Sequence, residues 1–194
     1  APPAEVEKPR PEVAKPQRKE KIGDGKPNTG GLLLGWGFKT DQSTANLGAD
    51  PYTLALGLRG GHALDFGLYL GGYFVYYIGS TQDPGGTDRS TAPQRATHAN
   101  YILFGPEVGY DVWVGDAILR PSLGIGIALA LSDSSALNPS GGTGVFGDLG
   151  LHPGMSLVFP IEEDWFIGGD ARANLIQGDG AAGLALYANG GRRF

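Results

Sequence analysis

Residues 117–131 read Ala-Ile-Leu-Arg-Pro-Ser-Leu-Gly-Ile-Gly-Ile-Ala-Leu-Ala-Leu. Alternate positions from Leu119 to Leu131 are apolar and mostly bulky, whereas the positions between them are mostly Gly, Ala or Ser, with Arg120 among them. Successive side chains of a β-strand point to opposite faces, so this stretch predicts a strand with one bulky apolar face. In a soluble barrel the other face would be rich in lysine and glutamate. The pattern instead favours a membrane strand, with bulky side chains facing lipid and small ones lining a narrow lumen.

The same alternation recurs along the chain and predicts eight strands. The runs are 32–40, 52–59, 65–79, 99–114, 117–131, 147–160, 165–177 and 182–194. The gaps after the first, third and fifth runs are long, and those after the second, fourth and sixth are short. Outer-membrane barrels alternate long external loops with short periplasmic turns in this way, although the short last gap, 178–181, departs from the pattern. The sequence therefore predicts an all-β fold, an eight-stranded antiparallel transmembrane β-barrel at residues 32–194, with both termini periplasmic in a bacterial outer membrane.

Residues 1–31 have a different composition and predict an extended, Pro-rich, charged periplasmic tail. The first 27 residues contain six of the fourteen prolines, with seven basic and five acidic residues, while the rest of the chain has eight basic and fifteen acidic residues. Proline blocks both helix and ladder pairing, and almost no apolar residue is available to bury. The tail is either a solvated linker or an arm that contacts peptidoglycan or another envelope protein through residues 1–27. The start at Ala1-Pro2-Pro3 leads us to expect that a signal peptide has been removed, with a shortened chain as the alternative.

Charge and motif content argue against several function classes. The formal net charge of −5 argues against nucleic acid as a partner. The sequence contains no run of 18 apolar residues, so it predicts no transmembrane helix. The three histidines, His62, His98 and His152, fall on different predicted elements, and no His/Asp/Glu set has metal-ligand spacing. We expect no catalytic residue, no metal site and no cofactor.

Charged and tyrosine side chains are predicted inside the barrel. Four basic and four acidic residues fall on the small-residue face: Lys39, Arg59, Arg120, Arg172, Glu107, Asp111, Asp148 and Asp170. Because an unpaired buried charge is costly, we expect these groups to pair as a plug, with a narrow polar pore as the alternative. Four tyrosines on the same face favour filling over conduction: Tyr69, Tyr73, Tyr77 and Tyr187.

Aromatic residues fall near the predicted strand ends and predict two interfacial belts. The external belt would hold Phe38, Tyr52, Tyr76, Tyr77 and Tyr101, and the periplasmic belt Phe66, Trp113, Phe159, Trp165, Phe166 and Phe194.

The eight alternating runs and the final Arg192-Arg193-Phe194 resemble the small outer-membrane barrel families, among them the OmpA membrane domain, OmpX and OmpW. The resemblance covers about residues 32–194. It implies that Phe194 is the signal presented to the barrel-assembly machinery and that outer-membrane lipid surrounds the barrel. Arg192 and Gly190 depart from the family pattern, which has apolar residues at alternate positions before the terminal Phe.

Three functions are compatible with this sequence. The first is a structural or interaction anchor, one version of which belongs to a trans-envelope assembly through its tail. The second is a narrow pore or hydrophobic-ligand conduit of the OmpW kind. The third is a lipid-modifying enzyme, because some enzymes of that class use a His and a Ser on eight-stranded barrels. His152 and Ser156 lie about 13 Å apart along one strand face, too far for a base to activate a nucleophile. The sequence therefore disfavours an enzyme.

Overall fold

The computed structural model describes residues 25–40, 52–79, 81–82, 97–132, 144–161, 164–177 and 182–194. Eight long strands follow in chain order: β1 (Asn28–Lys39), β2 (Leu54–Ala63), β3 (Leu68–Ile78), β4 (Thr97–Tyr110), β5 (Ala117–Ser132), β6 (Gly144–Pro160), β7 (Trp165–Ile176) and β8 (Gly183–Arg193). There are also two short segments: Val112–Val114 pairs with the start of β5, and Thr81–Gln82 pairs with the start of β4.

Each strand pairs antiparallel with the next along the chain, and β1 pairs with β8, which closes the sheet into a barrel. The predicted eight-stranded antiparallel barrel is confirmed. A closed barrel satisfies the backbone hydrogen bonds of every strand and leaves no edge. Among the residues described, no helix is long and apolar enough to span a membrane.

The first two strands are longer than the predicted runs. β1 begins at Asn28, four residues before the predicted start of the barrel, and β2 continues to Ala63. The reason is that Gly60 and Gly61 remain in the ladder, opposite Gly30 and Thr29. The first four residues of β1 thus fall within the predicted tail of residues 1–31, of which residues 1–24 lie outside the described part.

The two ends of the barrel differ. The short connections between β2 and β3, between β4 and β5, and between β6 and β7 lie at one end, here called the turn end, and the other end is the loop end. Both chain termini of the barrel meet at the turn end. There the Asn28 amide donates to the Phe194 carbonyl at 3.1 Å, and the Phe194 amide donates to the Asn28 carbonyl at 3.0 Å.

The barrel has an apolar outer face and a filled interior. Leu32, Leu186 and Ile125 are 66%, 59% and 47% exposed, whereas Arg120 and Ala128, on the other face of β5, are each 4% exposed. This is the reverse of a soluble protein, which buries its large apolar side chains. The predicted assignment of bulky residues to the outer face therefore holds in the structure.

The predicted aromatic belts need correction. Tyr52, Tyr77 and Tyr101 are at most 4% exposed and pack inside the loop end, with ring centroids 5.1 Å apart for Tyr52–Tyr77 and 5.4 Å for Tyr52–Tyr101. Tyr52 precedes the first residue of β2, so the alternation of that strand does not extend to it. At the turn end Phe166 is also buried, because it lies on the inward phase of β7.

Backbones approach closely where β1 and β8 close the barrel. Gly191 lies opposite Gly31, and a Cβ at Gly191 would collide with the Gly30 carbonyl oxygen and the Gly31 Cα. We expect Gly191→Ala to lower the free energy of unfolding by about 1–3 kcal/mol, the usual cost of overpacking. Urea unfolding in lipid or micelles, followed by tryptophan fluorescence, measures the loss.

Gly30→Ala is the matched control for this substitution. Its Cβ would meet only a ring carbon of Phe194 at 3.7 Å, an ordinary contact. We expect the control to lose little or no stability. Equal losses in the two variants would contradict the steric explanation and would point to backbone conformation instead.

Candidate functional site: the filled lumen

Four charged side chains cross the middle of the lumen. Arg59 on β2 pairs with Glu107 on β4, and its Nη1 lies 2.7 Å from Asp170 Oδ2 on β7. Arg172, also on β7, lies 3.3 Å from Glu107 Oε2 through Nη2 and 3.4 Å from Asp170 Oδ1 through Nε. Each guanidinium thus faces both carboxylates, and all four side chains are at most 8% exposed. We call these four residues the central cluster.

Ser156 completes the hydrogen bonding of the central cluster. Its hydroxyl donates to Asp170 Oδ2 at 2.5 Å and accepts from Arg59 Nη1 at 2.5 Å. The residue lies directly opposite Asp170 in the pairing of β6 with β7. Sequence reasoning considered Ser156 only as a possible nucleophile. Its position on the small-residue face was a signal for a lumen contact, but its partner depends on the register between strands.

A second ion pair lies next to the central cluster. Arg120 on β5 pairs with Asp111 through Nε at 2.5 Å and through Nη2 at 2.9 Å. The Arg120 guanidinium also lies 3.7 Å from the ring centroid of Tyr69. This two-bond geometry is the strongest form of an arginine–carboxylate contact.

The structure brings together six of the eight residues proposed for the lumen network. Lys39 and Asp148 are half-buried nearer the loop end. Lys39 is eight residues along β1 from Gly31, the partner of Arg59, and Asp148 is eight residues along β6 from Ser156. Eight residues correspond to roughly 26 Å along a strand, so neither residue joins the central cluster.

Tyrosines and amides fill the lumen toward the loop end. The hydroxyls of Tyr77 and Tyr187 are hydrogen bonded, and Asn174 Nδ2 donates to the Tyr77 hydroxyl at 3.0 Å. Asn174 Oδ1 lies 3.0 Å from His152 Nδ1. The His152 ring packs edge-on against Tyr73 with centroids 5.4 Å apart. The four tyrosines expected to fill the interior, Tyr69, Tyr73, Tyr77 and Tyr187, are all at most 5% exposed.

His152 and Ser156 are not in contact with each other in the described part of the lumen. His152 contacts Asn174, while Ser156 contacts Asp170 and Arg59, so the two residues have separate partners. Within the described residues, no group of three or more His, Cys, Asp or Glu side chains could hold a metal ion. The chemistry of the lumen is that of paired charges and hydrogen bonds, which fix the interior.

A third charged group lies outside the lumen, on the rim of the turn end. Asp164, between β6 and β7, accepts hydrogen bonds from Lys26 Nζ and from Arg192 Nη2, the latter at 2.7 Å. Arg193 Nη2 donates to the Lys26 carbonyl at 3.2 Å, and the Ala63 amide donates to the Pro27 carbonyl at 2.7 Å. We call Lys26, Asp164 and Arg192 the rim clasp. In the sequence Asp164 falls in the short gap between two predicted strands, and nothing local connects it to a residue 138 positions away.

The rim clasp predicts a small stability contribution that depends on pH. Hydrogen bonds from Lys26 and Arg192 lower the pKa of Asp164 below its ordinary value of 3.8. A carboxyl with a lowered pKa contributes stability above its ordinary pKa and loses it as pH falls through the folded-state value. We expect wild type to unfold at higher urea than Asp164→Asn at pH 7, with the difference vanishing in acid below pH 3.8. A difference that persists in acid would contradict the role of the ionised carboxylate.

Comparison with known proteins bears on the fold. No protein-family model matches the sequence, and no curated protein sequence matches it significantly. The solved structures do match. The attachment invasion locus protein Ail of Yersinia pestis shares 15% identity at a TM-score of 0.51, covering 87% of this chain and 97% of Ail.

Two further structures agree with Ail. The N-terminal β-barrel domain of Pseudomonas aeruginosa OprF shares 12% identity at a TM-score of 0.54, covering 87% of this chain and 98% of the domain. Neisserial surface protein A (NspA) shares 13% identity at a TM-score of 0.55, covering 86% and 96%. The chain has the fold of the small outer-membrane β-barrels. At these identities the likeness is one of fold, and the closed lumen and apolar outer face fit that fold.

Proposed function

We propose that this chain is an outer-membrane anchor and interaction protein with both termini in the periplasm. The observation that supports this best is the filled lumen. The central cluster and the Arg120–Asp111 pair cross it, and buried tyrosines pack beyond them toward the loop end. A barrel filled in this way offers its partners the two ends and the outer face rather than a path through the middle.

The outer face supports insertion into a bilayer. Bulky apolar side chains on all eight strands are exposed, among them Leu34, Phe74, Ile127 and Leu151 at 44–54%. An apolar surface this extensive is rare on soluble monomers and marks contact with a membrane or a partner. Phe194 is 62% exposed at the end of β8, where the barrel-assembly machinery would read it.

The rim clasp holds the residues just before β1 against the turn end, which supports a periplasmic tail attached at that end. Lys26 and Pro27 are held against the turn end, so the chain that precedes residue 25 is joined to the barrel at that end. These 24 residues contain six basic and five acidic side chains. An extended segment of this length would reach roughly 75 Å at 3.1 Å per residue. We propose that it contacts peptidoglycan or another envelope protein and so links the barrel to a trans-envelope assembly.

Binding to purified peptidoglycan tests the tail. The full chain in detergent is sedimented with isolated peptidoglycan and compared with a version that lacks residues 1–24, which keeps Lys26 and the rim clasp. A matched version retains the length but replaces the six basic residues with glutamine: Lys8, Arg10, Lys15, Arg18, Lys19 and Lys21. We expect co-sedimentation of the full chain only.

Cross-linking in native membranes separates the two kinds of partner. If the full chain and the two altered versions co-sediment with peptidoglycan to the same extent, but a defined envelope protein is cross-linked only to the full chain, the partner is a protein. If all three versions behave alike in both assays, the tail is a linker and the trans-envelope proposal fails. The barrel would then act through its loop end, as a surface protein.

Conductance in planar bilayers tests the anchor against a pore. A lumen closed by ion pairs should give no steady single-channel current at neutral pH and moderate salt. Steady openings in the wild-type protein would overturn the anchor proposal and favour a narrow pore or a conduit of the OmpW kind.

A further inference from the structure

A cavity of about 30 Å³ lies inside the barrel beside the central cluster. Its apolar wall is formed by Ile118, Val158 and Phe166, which pack together toward the turn end. Its polar wall includes Arg59, Tyr69, Arg120, Asn189 and Arg193. A single water needs about 10–15 Å³, so the cavity has room for two waters or one small ion.

The polar wall of this cavity is positively charged. Three arginines line it, and none of the described lining residues is an Asp or Glu. The carboxylates of Glu107 and Asp170 contact the Nη atoms of Arg59, and Asp111 contacts Arg120, so these acids lie behind the arginines. A guanidinium wall of this kind favours an anion over a neutral molecule of similar size.

Some buried donor atoms at the cavity have no hydrogen-bond partner among the described residues. Arg59 Nε and the Tyr69 hydroxyl make no hydrogen bond within that part of the chain. The Arg59 side chain is 8% exposed and Tyr69 is 0% exposed. Burying a donor without an acceptor is costly, so these two groups point to an acceptor inside the cavity.

The surroundings of Tyr69 keep its hydroxyl in place. The Arg120 guanidinium lies 3.7 Å from the ring centroid, and the Arg59 guanidinium lies 5.6 Å from it. Asn189 Oδ1 is another buried polar atom here that has no partner among the described residues. A 180° rotation of the Asn189 side-chain amide places its NH2 group where the oxygen was, and the NH2 group can donate a hydrogen bond into the cavity.

We propose that this cavity binds one small monovalent anion of the halide class, chloride being the ligand in a cell. A water molecule must donate two hydrogens as well as accept, and a wall dominated by N–H and O–H donors suits a spherical acceptor better. The anion would accept hydrogen bonds from Arg59 Nε and the Tyr69 hydroxyl. It would link β2 to β3 beside the ion pairs. This inference goes beyond the anchor function and does not depend on the tail having a partner.

Bromide tests the site directly, because its anomalous scattering distinguishes it from water. The full chain is crystallised with sodium bromide in place of sodium chloride. We expect an anomalous peak within hydrogen-bonding distance of Arg59 Nε and the Tyr69 hydroxyl. Tyr69→Phe, which removes only the hydroxyl, should lower the occupancy at the same bromide concentration, whereas Tyr110→Phe, an exposed position, should leave it unchanged.

Thermal unfolding in solution provides an independent readout. Because a ligand that binds only the folded state stabilises it, sodium chloride and bromide should raise the unfolding midpoint above that in sodium gluconate at equal ionic strength. The gluconate anion is too large for the cavity. The increase should shrink in Tyr69→Phe and persist in Tyr110→Phe. Ordered water without anomalous signal, bromide at the protein surface alone as an adventitious ion only, or equal midpoints in all salts would each overturn the proposal.

Discussion

Replacing Glu107 with glutamine should lower the free energy of unfolding by about 3–5 kcal/mol, the cost of breaking a buried ion pair by removing one charge. Glu107 is 3% exposed and contacts both Arg59 and Arg172. Without its charge, two guanidiniums would share the single carboxylate of Asp170. Glutamine keeps the volume and still offers one acceptor, so the loss measures charge rather than packing.

Urea unfolding in lipid vesicles at neutral pH gives this free energy, and Asp148→Asn is the matched control. Asp148 lies on the same inward phase but away from the central cluster, and it is half-buried. We expect the control to lose well under half as much as Glu107→Gln. Similar losses in the two variants would mean that inward charge, rather than the geometry of the cluster, determines stability.

A double variant distinguishes the network from its separate pairs. Arg172→Gln combined with Glu107→Gln leaves one guanidinium, Arg59, facing one carboxylate, Asp170, at 2.7 Å. We expect the double variant to be more stable than the sum of the single losses predicts, because the remaining charges balance. Additive losses would contradict a shared network.

The sequence predicts the barrel well because alternation is a local property. A strand such as β5 contains both of its faces in sixteen consecutive residues. Because only one face is bulky and apolar and that face is assigned to lipid, the sheet must close into a barrel to pair all of its backbone groups. The same alternation identifies which charges point inward. For this reason six of the eight lumen residues form ion pairs, four of them in the central cluster and two in the Arg120–Asp111 pair.

What the sequence could not predict depends on register and on chain turns between strands. Ser156 meets Asp170 only because β6 and β7 pair in one particular register. Tyr52 enters the lumen because it lies just before the first residue of β2, where the phase of the alternation is not fixed. The contact between Lys26 and Asp164 joins distant parts of the chain after the barrel has closed. None of these contacts leaves a periodic trace in the sequence.

Ile125→Arg should lower the free energy of unfolding by about 2–4 kcal/mol in a bilayer, the cost of an arginine on the lipid face near the midplane. Ile125 is 47% exposed near the middle of β5, so arginine fits there without a steric clash. In water, an exposed arginine at this position would cost almost nothing. The size of the loss therefore reports whether lipid covers this face.

Val145→Arg is the control for depth, since Val145 is 61% exposed and lies one residue from the loop end of β6. A charge close to the headgroups costs only about 0–1 kcal/mol, so the control should lose far less than Ile125→Arg. Urea unfolding of both variants in the same vesicles measures the two losses. Equal and small losses would mean that the apolar outer face is covered by something other than a bilayer, and the proposed membrane insertion would fail. A large loss at the middle of a strand and a small loss at a strand end is the depth dependence that a hydrocarbon layer of finite thickness around the barrel produces.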